Sequence, residues 1–316
     1  MSAHQDSGHA HGHRQGHSDH AGHGGGNGHG HQHGSTDIDW AHMAAQLVQG
    51  GELQLPVLRG TAARLRESFA PEHRVRRILD IGSGPGVMTC VLAEAFPDAE
   101  AVAVDGTPAL LEHSLTRAEQ LGLGGRVSVL HAELPEGLAG LGEADLVWSS
   151  KAVHHLGDQQ GALDALTGLL RPGGVLAVSE GGLPMRFLPR DIGVGRPGLQ
   201  SRIDVVMEDW FAVMRAELPG SKPVVEDWPA MFRAAGLTDV ACFTLLLDLP
   251  APLDAAAREF LVGHLGRARE SMGEVLDADD LNTLDLLLDP DAPEGILHRP
   301  DAFLLSATTV VTGVRA

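Results

Sequence analysis

The chain has 316 residues and a formal net charge of −19 at pH 7, and 43% of its residues are hydrophobic. The excess of acidic residues argues against a nucleic acid as the main partner, because no basic surface dominates. No segment approaches the roughly 18 consecutive apolar residues that cross a membrane, and the N-terminus lacks the basic-then-apolar pattern of a secretory signal. With only two cysteines, neither a disulfide framework nor a cysteine zinc site is expected. We expect a cytoplasmic protein that binds neither nucleic acid nor membrane.

The first 36 residues have a composition of their own, with ten histidines interleaved with Gly, Ser, Asp and Gln. Nothing in this tail can bury a core, so we expect it to be disordered. Imidazoles at alternate positions chelate divalent metals, which predicts incidental metal binding by the tail and no metal at the catalytic site. The alternative is a pH-responsive solubilising tail, since imidazole titrates near about pH 6.5.

The most informative segment is a glycine-rich turn between an apolar strand and a helical stretch at 87–96. The strand ends in Asp80 and Ile81, and the turn reads Gly82-Ser-Gly-Pro-Gly86. Glycine lets the backbone approach a ligand closely, and the N–H groups that open the next helix are free to bind it. A dinucleotide-binding loop would need glycine at the sixth position of the motif, where this chain has Val87. The turn therefore predicts a ligand loop of another kind.

Further predicted strands follow at 101–105, 126–133 and 144–150, and a fifth at 175–178 comes after a turn at 170–174. Helical segments separate most of them. Thr107-Pro108 is a predicted helix start. The alternation predicts βαβ units and a parallel sheet, with ligands beyond the carboxyl ends of its strands. Asp80, Asp105, Glu133 and Ser149 all fall at such ends.

In this order the motifs resemble the class I S-adenosylmethionine-dependent methyltransferases. The resemblance covers about residues 73–182, with weaker sheet-closing strands near 239–247 and 303–314. It implies an α/β fold with a doubly wound, mostly parallel seven-stranded Rossmann-like sheet, and S-adenosyl-L-methionine as cofactor. By this resemblance Asp105 binds the ribose hydroxyls and Glu133, where the family usually has Asp, meets the adenine amino group. The implied cofactor-binding residues are Asp80, Gly82, Ser83, Gly84, Gly86, Asp105, Gly106, Ala132, Glu133 and Ser149.

The chain is longer than this sheet requires, and the surplus suggests added cap elements. The predicted parts are the tail at 1–36, N-terminal cap helices at 37–72, the cofactor-binding core at 73–182, a helical lid at 183–225, and sheet completion at 226–316 with a helical insert at 251–300. In the lid, Ile203, Val206, Met207, Trp210 and Val213 follow helical spacing, which predicts one buried apolar face. The predicted substrate and cap residues are Trp40, His42, Trp210, Phe211 and Met214.

Methyl transfer depends mainly on positioning, but a hydroxyl acceptor must also lose a proton to a general base. His154 and His155, just beyond the fourth strand, are the candidate catalytic residues, and His42 and His264 in the cap elements are the alternatives. A histidine at this place also fits a role in orienting the loop or the cofactor.

The predicted function is in-line methyl transfer from S-adenosylmethionine to an oxygen of a small, largely apolar metabolite, by a monomer or homodimer. One alternative is C- or N-methylation of a quinone- or sterol-like acceptor by the same fold. The other is a non-catalytic cofactor-binding protein with a metal-binding tail.

Overall fold

The structure is a computed structural model that describes residues 40–316, with side chains from residue 43 onward. The predicted His-rich tail and its metal binding lie outside the described residues, as do the side chains of Trp40 and His42. Within residues 40–316, no helix is long and apolar enough to cross a membrane.

Seven strands form one sheet, in which five parallel strands are followed by an antiparallel pair at one edge. The order across the sheet is β3-β2-β1-β4-β5-β7-β6, with β7 antiparallel to both β5 and β6. The strands are β1 Arg77–Ile81, β2 Glu100–Asp105, β3 Val127–His131, β4 Ala144–Ser150, β5 Leu170–Arg186, β6 Leu237–Leu249 and β7 Leu304–Arg315. The predicted doubly wound, mostly parallel seven-stranded α/β fold is confirmed.

Nine α-helices are described. They are α1 Trp40–Leu53, α2 Leu55–Glu67, α3 Val87–Ala95, α4 Pro108–Gln120, α5 Gln159–Gly168, α6 Leu199–Glu217, α7 Trp228–Ala234, α8 Ala255–Ser271 and α9 Ala278–Leu288. Four of them begin after an aspartate whose carboxylate accepts the N–H group three residues on, which satisfies a free donor of the first turn. These N-caps are Asp158, Asp227, Asp254 and Asp277. The predicted start of α4 is confirmed, but the Thr107 side chain makes no capping hydrogen bond.

Helices cover both faces of the sheet because successive strand residues point to opposite sides. Ile78 packs into the core beneath α2 and α3, whereas Leu79 packs into the core beneath α5 and α7. A third core joins α2, α6, α8 and α9 to the segment after β5, with Phe187 and Leu261 fully buried in it. The added helices therefore pack around a core of their own.

Two sequence-based expectations need correction. The fifth strand was predicted at 175–178 after a turn at 170–174, but β5 extends from Leu170 to Arg186, because its later part pairs with β7 through Arg186 and Leu305. The predicted apolar stripe of α6 is buried at Ile203 and partly buried at Val206, whereas Met207, Trp210 and Val213 are 41%, 47% and 56% exposed. The C-terminal half of α6 thus presents its apolar side chains to solvent.

Candidate functional site

The glycine-rich turn lies between the end of β1 and the start of α3, as predicted. Gly82, Gly84 and Gly86 all have left-handed φ values, of 70°, 54° and 74°. At Gly82 a Cβ would lie 2.6 Å from the Cβ of Ala152, so only glycine lets the loop after β4 pack this closely against the turn. The turn and the loop that carries His154 and His155 are therefore in direct contact.

Asp105, at the carboxyl end of β2, ties the turn to the next helix. Its Oδ2 accepts a hydrogen bond from the Gly84 N–H at 2.9 Å, and its Oδ1 accepts one from the Thr107 N–H at 2.9 Å. Each carboxylate oxygen has a second lone pair, so both remain able to accept a donor from a ligand. The structure thus places the predicted ribose-binding acid directly beside the glycine turn.

Glu133, after β3, lies against the same edge of the sheet. A Cβ on Gly106 would stand 2.7 Å from the Glu133 Oε2, so the carboxylate lies over the residue that follows Asp105. The Glu133 side chain is exposed and, with Ala132, lines a surface cavity of about 390 Å³. Asp105, Gly106, Ala132 and Glu133 are therefore brought together as the sequence predicted.

Two predicted cofactor residues are placed differently. Ser149 is completely buried, and its Oγ donates to the backbone carbonyl of Ile81 at 3.0 Å, so this side chain links β4 to β1. Asp80 is also buried, and its Oδ2 accepts a 2.6 Å hydrogen bond from the Thr89 hydroxyl. Burial, with a smaller effect from the charge of Asp105, raises the pKa of Asp80 to about 7. Ser83 is half-buried within the turn.

His154 and His155 form a pair after β4. Their Nε2 atoms are 3.0 Å apart, and the His154 Nδ1 lies 2.5 Å from Oε2 of Glu180, a residue that the sequence prediction missed. Burial and the neighbouring His154 lower the pKa of His155, so this imidazole is neutral at physiological pH. The available sequence signal for Glu180 was its place two residues after the apolar run at 175–178.

The cap elements reach the histidine pair and the glycine turn. From α6, the Phe211 ring packs edge-on against His154 at 5.4 Å between centroids. The Arg215 guanidinium donates to the backbone carbonyls of His154 and Leu156 at 2.6 and 2.7 Å. Met214, on the same helix, is half-buried. From α1, Gly51 packs so closely on Val87 that a Cβ there would lie 2.7 Å from a Val87 methyl group.

His264 of α8 lies among aromatic rings and positive charges. Its ring packs against Phe187 at 5.4 Å and Phe260 at 6.4 Å. Burial, and then the charges of Arg267 and Lys151, lower the pKa of His264 to about 4, so it is neutral at physiological pH. The Arg267 Nη1 is buried and has no hydrogen-bond partner among the described residues. Across residues 43–316, no three His, Cys, Asp or Glu side chains are grouped as metal ligands.

Comparison with known proteins identifies the class. Residues 79–176, from β1 into β5, match the profile of a methyltransferase domain. The chain is 36% identical over 108 residues to trans-aconitate 2-methyltransferase of Methylobacterium radiotolerans, which is 34% of this chain and 39% of that protein. It is 41% identical over 103 residues to the biotin biosynthesis bifunctional protein BioCD of Bordetella avium, which is 33% of this chain and 21% of that protein.

Among solved structures, an O-methyltransferase family protein from Burkholderia thailandensis matches with a TM-score of 0.46 and 16% identity, over 87% of this chain and 60% of that one. The chain spans less than half the length of the two curated relatives named above. Residues 79–176 therefore form a methyltransferase domain, and this part of the chain is similar to curated methyltransferases.

Proposed function

We propose that this chain transfers the methyl group of S-adenosylmethionine to an oxygen atom of a small organic molecule. The observation that carries the proposal is the bridge made by Asp105, whose carboxylate joins the glycine turn to the start of α4 at the carboxyl edge of the sheet. The methyltransferase domain at 79–176 supports the reaction class.

The residues present fit the cofactor. Asp105 would accept from the two ribose hydroxyls, because a carboxylate with free lone pairs matches a pair of donors. Glu133 would accept from the adenine amino group, and its exposed carboxylate lies beside Gly106. At Gly84 no atom lies within 4 Å of a Cβ position, so the turn is open on that side. When bound, the cofactor supplies an activated methyl group on a sulfonium.

The rest of the chemistry falls to the protein, which must hold the acceptor oxygen in line and remove its proton. Correct orientation is worth roughly 7–11 kcal/mol in well-aligned reactions, and a general base adds about 10²–10⁴-fold. We assign the base to the pair formed by His154 and His155, because both lie on the loop that contacts the glycine turn. His264, with its pKa near 4, is too weak a base to compete.

The cap elements would cover the acceptor. Phe211 and Met214 of α6 are the candidates for this contact, together with Trp40 and His42 of α1, whose side chains lie outside the described residues. The Phe211 ring already packs against His154, so an acceptor that reaches the histidine pair would meet an apolar wall. This supports an acceptor with a substantial apolar surface.

A carboxylate acceptor is the second candidate, favoured by one observation. Arg267 holds a buried Nη1 with no described partner, and its charge and that of Lys151 act on His264. Such a group suits an organic acid, and three relatives are named trans-aconitate 2-methyltransferase. A carboxylate is already ionised at physiological pH, so its methylation would need no base.

The deciding experiment measures cofactor affinity by calorimetry, and then formation of S-adenosylhomocysteine with matched panels of small alcohols, phenols and organic acids. A hydroxyl acceptor predicts a large loss of turnover in His155→Gln and little change in Arg267→Gln. A carboxylate acceptor predicts the reverse. Absence of cofactor binding in a folded protein would refute the proposal.

A further inference from the structure

Glu180 is a buried carboxylate at the candidate site to which neither the sequence motifs nor the comparisons assign a role. It follows the part of β5 that pairs with β4, where Ser179 lies opposite Ser150, so it stands next to the loop that leaves β4. Its side chain is only 1% exposed. A buried charge of this kind is costly unless it is hydrogen-bonded, so its partners define its role.

Both oxygens of Glu180 act on the histidine loop. Oε1 accepts hydrogen bonds from the backbone N–H groups of Ala152 and Val153 at 2.9 and 2.7 Å. Oε2 lies 2.5 Å from the Nδ1 of His154. An ionised carboxylate has no hydrogen to donate, so the proton in this last contact belongs to the imidazole. Glu180 thereby fixes both the path of the loop and the tautomer of one histidine.

The tautomer of His154 decides what its other nitrogen can do. With the proton on Nδ1, the Nε2 of a neutral imidazole is an acceptor. That Nε2 lies 3.0 Å from the Nε2 of His155, which therefore carries the hydrogen of this contact. The Nδ1 of His155 is then the acceptor nitrogen of its own ring. The hydrogen bond from His155 to His154 and the one from His154 to Glu180 thus both point towards Glu180, so a proton can be passed along them in that direction.

We propose, on the basis of the proposed function, that Glu180 is the positioning residue of a two-histidine proton relay. The acceptor O–H bond breaks and its proton passes to the Nδ1 of His155, while the Nε2 hydrogen of His155 passes to the Nε2 of His154. The acceptor oxygen bonds to the methyl carbon as the carbon–sulfur bond breaks, and the electron pair stays on sulfur. The positive charge ends on His154, next to the Glu180 carboxylate.

The electrostatics of the loop make Glu180 necessary for this outcome. Arg215 donates to the His154 carbonyl. Burial, and then the charges of His154 and Arg215, lower the pKa of His155, whereas the charge of Glu180 raises it. Glu180 is the acidic group in contact with the pair, and an opposite charge within hydrogen-bond distance favours the charged form of a histidine. Without the negative charge of Glu180, an imidazolium at His154 should be unfavourable, so the relay should no longer accept the proton of the acceptor.

The first test needs no acceptor. Glu180→Gln keeps a carbonyl oxygen for the two backbone N–H groups, but its amide donates to the Nδ1 of His154 and forces the proton to Nε2. Nitrogen-15 NMR of the imidazoles, assigned with His154→Gln and His155→Gln, should show His154 as the Nδ1–H tautomer in the wild-type protein. It should show His154 as the Nε2–H tautomer in Glu180→Gln. A wild-type His154 with its proton on Nε2 would overturn the proposal.

The second test uses a hydroxyl acceptor identified by the panel above. Glu180→Gln should lower kcat on the order of 10²–10³-fold, within the range of general-base catalysis, and leave the KM and the cofactor affinity within about twofold. His154→Gln should have a similar effect, and the double variant should lose no more than either single one. The acid limb of the kcat profile should shift in Glu180→Gln, which a merely structural role would not cause.

Asp145 supplies a matched control. Its carboxylate also accepts two consecutive backbone N–H groups, of Arg76 and Arg77 at 2.8 and 2.9 Å, but it does so at the opposite end of β4. Asp145→Asn should leave kcat nearly unchanged per folded molecule. Equal losses of kcat in the two variants would show that Glu180 acts through loop stability alone. If the tautomer switches as expected but no acceptor is methylated, the proposed function fails while the positioning role stands.

Discussion

Replacement of Asp80 by Asn should change how the stability of the protein depends on pH. Burial raises the pKa of Asp80 from its ordinary 3.8 to about 7, so between these values the native state keeps a proton that the unfolded state has lost. The stabilisation is fully present below pH 3.8 and is lost as the pH rises through about 7. One pH unit corresponds to about 1.4 kcal/mol, so the wild type should lose roughly 3 kcal/mol between pH 5 and pH 8 from this group.

Asn is neutral and still offers an oxygen to the Thr89 hydroxyl, so Asp80→Asn should escape this loss. Urea unfolding, followed by tryptophan fluorescence at steps of half a pH unit, gives the free energy of unfolding of each protein. The free energy of unfolding of the variant, relative to that of the wild type, should increase up to about pH 7. Asp145→Asn is the control. Burial acts to raise the pKa of Asp145, but hydrogen bonds from Arg76, Arg77 and Arg171 outweigh it and lower this pKa. Asp145 therefore titrates below the range of pH 5 to pH 8. Parallel stability curves for wild type and Asp80→Asn would refute the reasoning.

Three further results are expected. Asp105→Ala should weaken cofactor binding by about tenfold or more in calorimetry, since about 1.4 kcal/mol is one decade, and unchanged affinity in the folded variant would show that the site is misplaced. Deletion of residues 1–36 should leave turnover within about twofold, because any ordering of this segment would cost roughly 1–2 kcal/mol per residue. If both this deletion and chelators abolished activity, the enzyme would instead be metal-dependent. Phe211→Ala should lower turnover of the acceptor more than it lowers cofactor affinity, because the Phe211 ring packs against His154. Trp210→Ala, at a neighbouring residue that is 47% exposed, is the control. Equal effects of the two substitutions on turnover would argue against a specific cap contact.

The parts of the fold that sequence predicts well are those with short-range causes. The turn after β1 was visible because left-handed glycines and a following helix are neighbours in the chain. Asp105 and Glu133 could be placed because parallel strands bring their carboxyl ends to one edge. Both signals are local in sequence or follow from the sheet rule, so neither required knowledge of distant contacts.

The missed features depend on partners far along the chain. The length of β5 is set by its pairing with β7, more than 100 residues later. Glu180 gains its role from a loop that lies 26 to 28 residues earlier in the chain, where it contacts His154, Val153 and Ala152. Ser149 stands at the carboxyl end of its strand, where the sequence predicts a ligand contact, but its hydroxyl donates a hydrogen bond to the Ile81 carbonyl on the neighbouring strand. The apolar spacing of α6 predicted a helix but not its burial, because periodicity does not say what covers a face.

The two backbone hydrogen bonds that hold Asp105 have a consequence for ligand affinity. A surface carboxylate gives up rotamer freedom when a ligand arrives, and that entropy is subtracted from the binding free energy. The Asp105 side chain has already lost this freedom in the folded protein, since the N–H groups of Gly84 and Thr107 each hold one of its carboxylate oxygens. Preorganisation of this kind is acquired during folding, so variants that loosen the turn should bind the cofactor less tightly even with every contacting side chain intact.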